Sequence, residues 1–197
     1  MITIHDNFVR KTEIIDSLYQ TIEAIGDLQL DFMPHSYVIK PKHKNELEAR
    51  VAQIIRFICT EFPRFQGKGY EVWFNSLDEN TNCLDHHVDC DEESEGVVPA
   101  KYTATFYLGA EVEGGELVIH TEGYHNNYAF ISDIWEVMDL ARKSSDWLCV
   151  NYKYNRLVLF ESQFPHAVLP IRDCKGGKRV SLTISSWDNP IKVIKNV

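Results

Sequence analysis

The sequence predicts a mainly β domain with helices in its N-terminal part (α+β), in which amphipathic helices pack on a mostly antiparallel, double-sheet β fold. Three observations predict it. The first third of the chain places apolar residues at helical spacing. From Tyr70 onward the apolar residues alternate in short runs separated by Gly and polar turns. One further helical stretch, Ile131 to Trp147, interrupts those runs. The 197 residues carry no internal repeat, low-complexity tract or linker, so the chain reads as one domain. Residues 1–69 form a helical support and residues 70–190 a β core with a helical insertion at 131–147.

The elements follow in order. Asn7 to Ile25 carries a stripe of Ile14, Leu18, Ile22 and Ile25, and Gly26 can stop the helix. Leu28 to Ile39 reads as extended, broken by Pro34, and Pro41 suits a helix start. Leu47, Val51, Ile54, Ile55 and Ile58 form the next apolar face, ending before Pro63; Gly67 and Gly69 mark a loop. Glu71 to Asn75 is a strand, and Leu77 to Cys83 a polar turn region. Asp89 to Glu95 is an acidic loop. Tyr102 to Leu108 and Glu116 to His120 are strands that the Gly114-Gly115 turn would join as a hairpin. Arg156 to Phe160 and Arg179 to Ser186 are the last two strands.

Composition narrows the function. A hydrophobic share of 44% and a charged share of 25% belong to a soluble globular protein. A net charge of −9 argues against a broad nucleic-acid or anionic-membrane surface, which needs clustered Lys and Arg. No apolar run approaches membrane-spanning length, and Met1 to Asp6 is too short and polar for an export signal. Cys59, Cys83, Cys90, Cys149 and Cys174 are odd in number and lack C-x-x-C spacing. They read as reduced thiols of a cytoplasmic protein rather than as a zinc site or disulfide framework.

The chemistry centres on His87-Val88-Asp89. Residues two apart in a strand point to one face, which sets an imidazole beside a carboxylate. A second imidazole from His166 would complete two His and one carboxylate, leaving three positions open on a six-coordinate metal. Such a set is typical of a non-haem Fe(II) oxygenase. Most H-x-D triplets are surface polar residues, so the triplet alone decides nothing. His86 points away from His87, and His120 away from the face of Leu117. His5, His35, His43 and His125 have no partner spacing and are taken as non-ligands.

Two strands alternate cleanly. Arg179, Ser181, Thr183 and Ser185 share one face, and Val180, Leu182 and Ile184 the other. The first face suits a small carboxylate, which Arg can grip through two parallel hydrogen bonds; an exposed polar strand face is the alternative. Thr103, Thr105 and Tyr107 share a face, opposite Tyr102, Ala104, Phe106 and Leu108. Tyr107 is therefore a pocket candidate and Tyr102 a core or rim residue. Of Trp73 and Phe74, one belongs in the core and the other can line a substrate entrance.

Six motifs in this order resemble the prolyl 4-hydroxylase-like branch of the Fe(II)/2-oxoglutarate-dependent oxygenases. They are His87-Val88-Asp89, Tyr102 to Leu108, Gly114-Gly115-Glu116-Leu117, Arg156 to Phe160, His166-Ala167-Val168 and Arg179 to Thr183. The resemblance covers about Tyr70 to Trp187. It implies a double-stranded β-helix (a jelly roll, cupin-like) buttressed by helices. It implies that His87, Asp89 and His166 hold Fe(II), and that Arg179 binds the distal carboxylate of 2-oxoglutarate with Tyr107. It sets Leu117, Val168, Thr183 and Ser181 around that cosubstrate. Two departures stand out: Gly109 replaces the usual Asn after Tyr-Leu, and the Lys175 to Lys178 turn offers Lys175 or Lys178 as rival cations to Arg179.

The activity so implied couples decarboxylation of 2-oxoglutarate by O2 to hydroxylation of an unactivated C–H bond. A carboxylate at Asp89 favours hydroxylation, because related halogenases keep a small residue there. Peptidyl proline is the leading substrate, with a free amino acid or other small metabolite as the alternative. A nucleic-acid demethylase is disfavoured, since Ile184 and Ser185 stand where those enzymes carry a second Arg. A binding module that kept the fold without the metal is disfavoured by the intact triad. The Asp89 to Glu95 loop and the Ile131 to Trp147 helix are expected to flank the substrate entrance, and an acidic mouth favours cationic or neutral substrates.

Overall fold

The computed structural model describes residues 1–25, 46–80, 83–91, 98–123, 129–175 and 177–188. Two antiparallel sheets face each other across a shared interior. The larger has five strands in the order β1 (Ile2–Asp6), β10 (Arg156–Glu161), β6 (Tyr102–Tyr107), β13 (Arg179–Trp187) and β2 (Gly69–Leu77). The smaller has four, in the order β3 (Leu84–His87), β11 (His166–Val168), β8 (Leu117–His120) and β9 (Trp147–Val150). Two short pairs cap the rims: β4 (Cys90–Asp91) with β5 (Val98–Pro99), and β7 (Glu113–Gly114) with β12 (Ile171–Asp173). This is the jelly-roll-like, mainly β architecture with supporting helices that the sequence predicts.

The period of two in β13 sorts its side chains as the sequence suggests. Val180, Leu182 and Ile184 join Ala104, Phe106 and Leu108 in a core beneath α1 (Thr12–Ile25) and α2 (Glu46–Glu61). The helices contribute Ile14, Ile15, Leu18 and Ile22, then Leu47, Val51, Ile54, Ile55 and Ile58. Burial of each such side chain stabilises by about 1.5–3 kcal/mol, which is what holds two helices against a sheet. Phe74 lies in this core, while Trp73 pairs with Thr183 and so faces the other way, toward the interior between the sheets. That interior is lined by Tyr107, Leu117, Ile119, Val158, Phe160 and Val168, among others.

Four expectations change. The first residues form β1, which pairs with β10 throughout and adds an edge strand where the sequence suggests only helices. Strands β6 and β8 do not form a hairpin; they lie in opposite sheets, and the Gly114-Gly115 turn instead brings β7 to β12. The inserted helix, α3, runs only from Ile134 to Lys143, capped by the Asp133 carboxylate accepting from Trp135 N–H at 2.9 Å. Beyond it the chain becomes β9. Val137 and Ala141 of α3 pack with Val118, Ala167 and Leu169 on the outer face of the four-stranded sheet. The helix thus buttresses that sheet from outside. The expectations for Gly26, residues 28–39, Pro41, His35, His43, His125 and most of the acidic loop lie outside the described residues. Among the described residues no helix is long and apolar enough to cross a membrane.

Candidate metal and cosubstrate site

Strand register places the first ligand candidates. His166 of β11 pairs directly with His87 at the end of β3 on one side and with Ile119 of β8 on the other. The two imidazoles lie with ring centroids 4.4 Å apart. Asp89 follows β3 and turns its Oδ1 toward both, 3.6 Å from His87 Nε2 and 3.8 Å from His166 Nε2. One ligand atom from each of the three lies within 4.8 Å of the others. Asp89 and His166 are buried, whereas the His87 side chain is 42% exposed, so the cluster opens to solvent on the His87 side.

Surrounding groups fix the direction of each donor. His87 Nδ1 lies 2.6 Å from the Asp85 carbonyl and His166 Nδ1 3.0 Å from the Phe164 carbonyl. A carbonyl only accepts, so each Nδ1 carries the proton, and the Nε2 lone pairs are left facing Asp89. Asp89 Oδ2 accepts from the hydroxyls of Thr103 and Ser185, the latter at 3.2 Å, and Thr103 is backed by Ser162 at 2.8 Å. This leaves Oδ1 to face the imidazoles. Burial disfavours the Asp89 carboxylate, but His166, His87 and Thr103 outweigh it and hold the group down at about 2. Burial, with His87 nearby, holds His166 neutral, at about 4. For His87, burial pulls the other way but the Asp89 carboxylate prevails and raises it. Electron pairs converging on one point, with the carboxylate ionised and His166 unprotonated, suit a cation. Phe160 packs edge-on to His166 at 4.9 Å and walls the cluster on the sheet side.

The second half of the site lies on β13 and β6. Arg179 is fully buried, and among the described residues no carboxylate pairs with it. Its Nε donates to the Gly115 carbonyl at 2.9 Å and its Nη1 to Ser181 Oγ at 3.3 Å. Nη2 has no partner, and neither has the hydroxyl of Tyr107, whose ring lies 5.1 Å from the guanidinium carbon. Burial pushes the Tyr107 phenol up despite the Arg179 charge, so it stays a neutral donor. Two buried, unsatisfied donors, one cationic, call for an anionic acceptor. A carboxylate has the right size and charge, so the residues present fit a 2-oxo acid with a distal carboxylate. The Gly114-Gly115 turn serves Arg179 directly. Gly115 sits at φ +64°, and a Cβ there would meet Arg179 Cδ at 2.8 Å.

The structure brings together most of what the sequence singles out. Leu117 and Val168 pair with each other on the inner face of the four-stranded sheet. Thr183 lies opposite them, buried, accepting from Asn75 Nδ2 at 3.4 Å. Lys175 lies in an exposed turn at φ 47° and Lys178 precedes β13, so Arg179 is the cation within the interior. His86 faces away, accepting from Ile131 N–H at 3.1 Å and packing on Trp147; burial holds it down at about 4. His120 also meets Trp147, on the outer face. Sequence reasoning missed Tyr152, whose ring packs at a tilt on Tyr107 at 4.6 Å, and it missed the Ser162–Thr103 support of Asp89. Thr103 and Ser185 are at least legible as polar residues on the inward faces of β6 and β13.

Residues 72–187 match the model of the 2OG-Fe(II) oxygenase superfamily. No curated protein matches the chain by sequence. Among solved structures, a prolyl-4-hydroxylase from Pseudomonas putida superposes with a TM-score of 0.57 at 16% identity, covering 95% of this chain and 88% of that one. The viral collagen prolyl hydroxylase of Paramecium Bursaria Chlorella virus-1, in complex with 2OG, gives 0.55 at 16% identity, covering 94% and 95%. A Trichoplax adhaerens prolyl hydroxylase bound to a hypoxia inducible factor peptide fragment gives 0.57 at 14% identity, covering 95% and 83%.

Proposed function

We propose that this chain, which belongs to the 2OG-Fe(II) oxygenase superfamily, hydroxylates an unactivated C–H bond of a prolyl residue in a peptide. The chain is a dioxygenase that uses Fe(II), 2-oxoglutarate and O2. The observation that carries the finer reading is one shared interior. The His87, Asp89 and His166 cluster and the buried Arg179–Tyr107 donor pair both face the space between the two sheets. Fold neighbours that are prolyl hydroxylases, one of them bound to a peptide, support the substrate class.

In this reading His87 and His166 would hold iron through Nε2 and Asp89 through Oδ1, because Thr103 and Ser185 occupy its Oδ2. When bound, iron and 2-oxoglutarate would supply the oxidising power for placing one oxygen of O2 into the C–H bond, with succinate and CO2 as the coproducts. Arg179 and Tyr107 grip the distal carboxylate and so orient the 2-oxo acid toward the triad. Leu117, Val168 and Thr183 shape its sleeve, and Ser181 anchors Arg179. The exposed side of His87, with Trp73 on the same interior, gives the prolyl residue its approach. Absence of any disulfide among the five cysteines supports a cytoplasmic location.

The test is succinate formation in a coupled assay across proline-containing peptides, free proline and other amino acids, and anionic metabolites. Turnover with a peptide whose proline gains one oxygen supports the reading. Turnover confined to a free amino acid would make the enzyme a small-molecule hydroxylase, and a best substrate with several negative charges would contradict the substrate class.

A further inference from the structure

Tyr152 lies between β9 and β10, outside every strand and motif, yet it is only 7% exposed. Its hydroxyl accepts from the Gly109 N–H at 2.8 Å and donates to the Val180 carbonyl at 3.1 Å. Gly109 follows β6 and Val180 belongs to β13, so one phenol ties the strands that carry Tyr107 and Arg179. Its ring does more than span them. It packs against the Tyr107 ring at 4.6 Å with the planes tilted by 36°, and lies 5.3 Å from the guanidinium carbon of Arg179, which is itself 5.1 Å from Tyr107. Both rings thus lie against one side of the Arg179 guanidinium, while its Nε is fixed to Gly115. Two of the four buried polar atoms left without a partner among the described residues, Arg179 Nη2 and Tyr107 Oη, belong to the groups that Tyr152 touches. Gly109 makes the arrangement possible. A Cβ there would lie 3.0 Å from the Tyr152 hydroxyl and 2.7 Å from the Lys178 carbonyl.

We infer that Tyr152 is a positioning residue of the 2-oxoglutarate site, holding Arg179 and Tyr107 so that their two unpaired donors meet the same distal carboxylate. The inference rests on the assignment of Arg179 and Tyr107 proposed above. A tyrosine kept only to brace two strands needs its hydroxyl bonds but not its ring contact with the donor pair. The two roles differ in one measurable way: positioning affects ligands that carry a distal carboxylate, while bracing affects ligand binding without regard to that group.

The experiment is isothermal titration of Mn(II)-loaded full-length protein with 2-oxoglutarate and with 2-oxovalerate, which has the same chain length and no distal carboxylate. Tyr152→Leu removes the ring and Tyr152→Phe removes only the hydroxyl. Tyr152→Leu is expected to weaken 2-oxoglutarate about tenfold, and Tyr152→Phe about threefold. In both, 2-oxovalerate and Mn(II) affinities stay within about twofold of wild type. Equal weakening of both 2-oxo acids, or of neither, overturns the inference, and Tyr152→Phe alone decides if the Leu variant does not fold. A wild-type protein that does not prefer 2-oxoglutarate to 2-oxovalerate would instead overturn the Arg179–Tyr107 assignment, and the inference with it.

Discussion

Replacing Arg179 with Met should separate ligand binding from stability. In the free protein the guanidinium is fully buried, held by a carbonyl and a hydroxyl, with no carboxylate partner among the described residues. That is a charge stabilised only in part, and apolar replacements of buried ionic groups are often neutral or stabilising. Met is close in volume and fills the space beside the Tyr107 and Tyr152 rings. The ligand-free variant is therefore expected to melt at the wild-type temperature or a few degrees above it. Binding should move the other way. Losing one partner of a buried charge-assisted pair costs about 2–5 kcal/mol, or roughly 30-fold to several-thousand-fold in 2-oxoglutarate affinity. Calorimetric titration on Mn(II)-loaded protein measures the affinity and a thermal melt measures the stability. Unchanged 2-oxoglutarate affinity, with the loss appearing in Lys175→Ala or Lys178→Ala, would refute the argument. A melt lowered by many degrees would show that Arg179 is mainly structural.

Two further outcomes follow from the support around the site. Asp6 is held well below the usual carboxylate range by hydrogen bonds from Arg156 and Lys153, which tie β1 to β10 and its flank. A depressed folded-state value means that the contribution is present above the ordinary carboxylate pKa of 3.8 and is lost as pH falls below it. An acid-unfolding curve of Asp6→Asn should therefore differ from wild type near neutrality and converge with it in strong acid. Val137→Asp buries an unpaired carboxylate under α3 and should cost about 3 kcal/mol or more by chemical denaturation. It should leave 2-oxoglutarate affinity intact, since α3 packs on the outer face of its sheet.

Strand β13 was legible because both its faces are distinctive. Val180, Leu182 and Ile184 announce a core, and a cation among hydroxyls on the opposite face announces a binding surface. The triad was legible as spacing plus a distant His, but its electronic setting was not. The carbonyls that orient His87 and His166 belong to the backbone, and backbone direction leaves no mark on residue identity. The hairpin expected between β6 and β8 failed for a related reason. A Gly-Gly turn signals a reversal but not the sheet to which the returning strand belongs. β9 is not legible, and its first residue, Trp147, reads as the end of the helix, because the strand is short and follows a helical stripe without a Gly or Pro break. β1 escaped notice because a five-residue edge strand with two exposed positions carries a weak alternation. Tyr152 sits in irregular chain, where no period exists to assign its direction, and only packing shows that it meets Arg179.

The measurement that bears most directly on the account is the visible spectrum of the anaerobic protein titrated with Fe(II) and then 2-oxoglutarate. Wild-type protein is predicted to develop a weak charge-transfer band only when both are present. His166→Ala is predicted to remain folded by circular dichroism and to lose both the band and Fe(II) affinity. Arg179→Met should recover the band only at much higher 2-oxoglutarate. A His166→Ala protein that binds Fe(II) as wild type does and shows the same band would contradict the assignment of the triad.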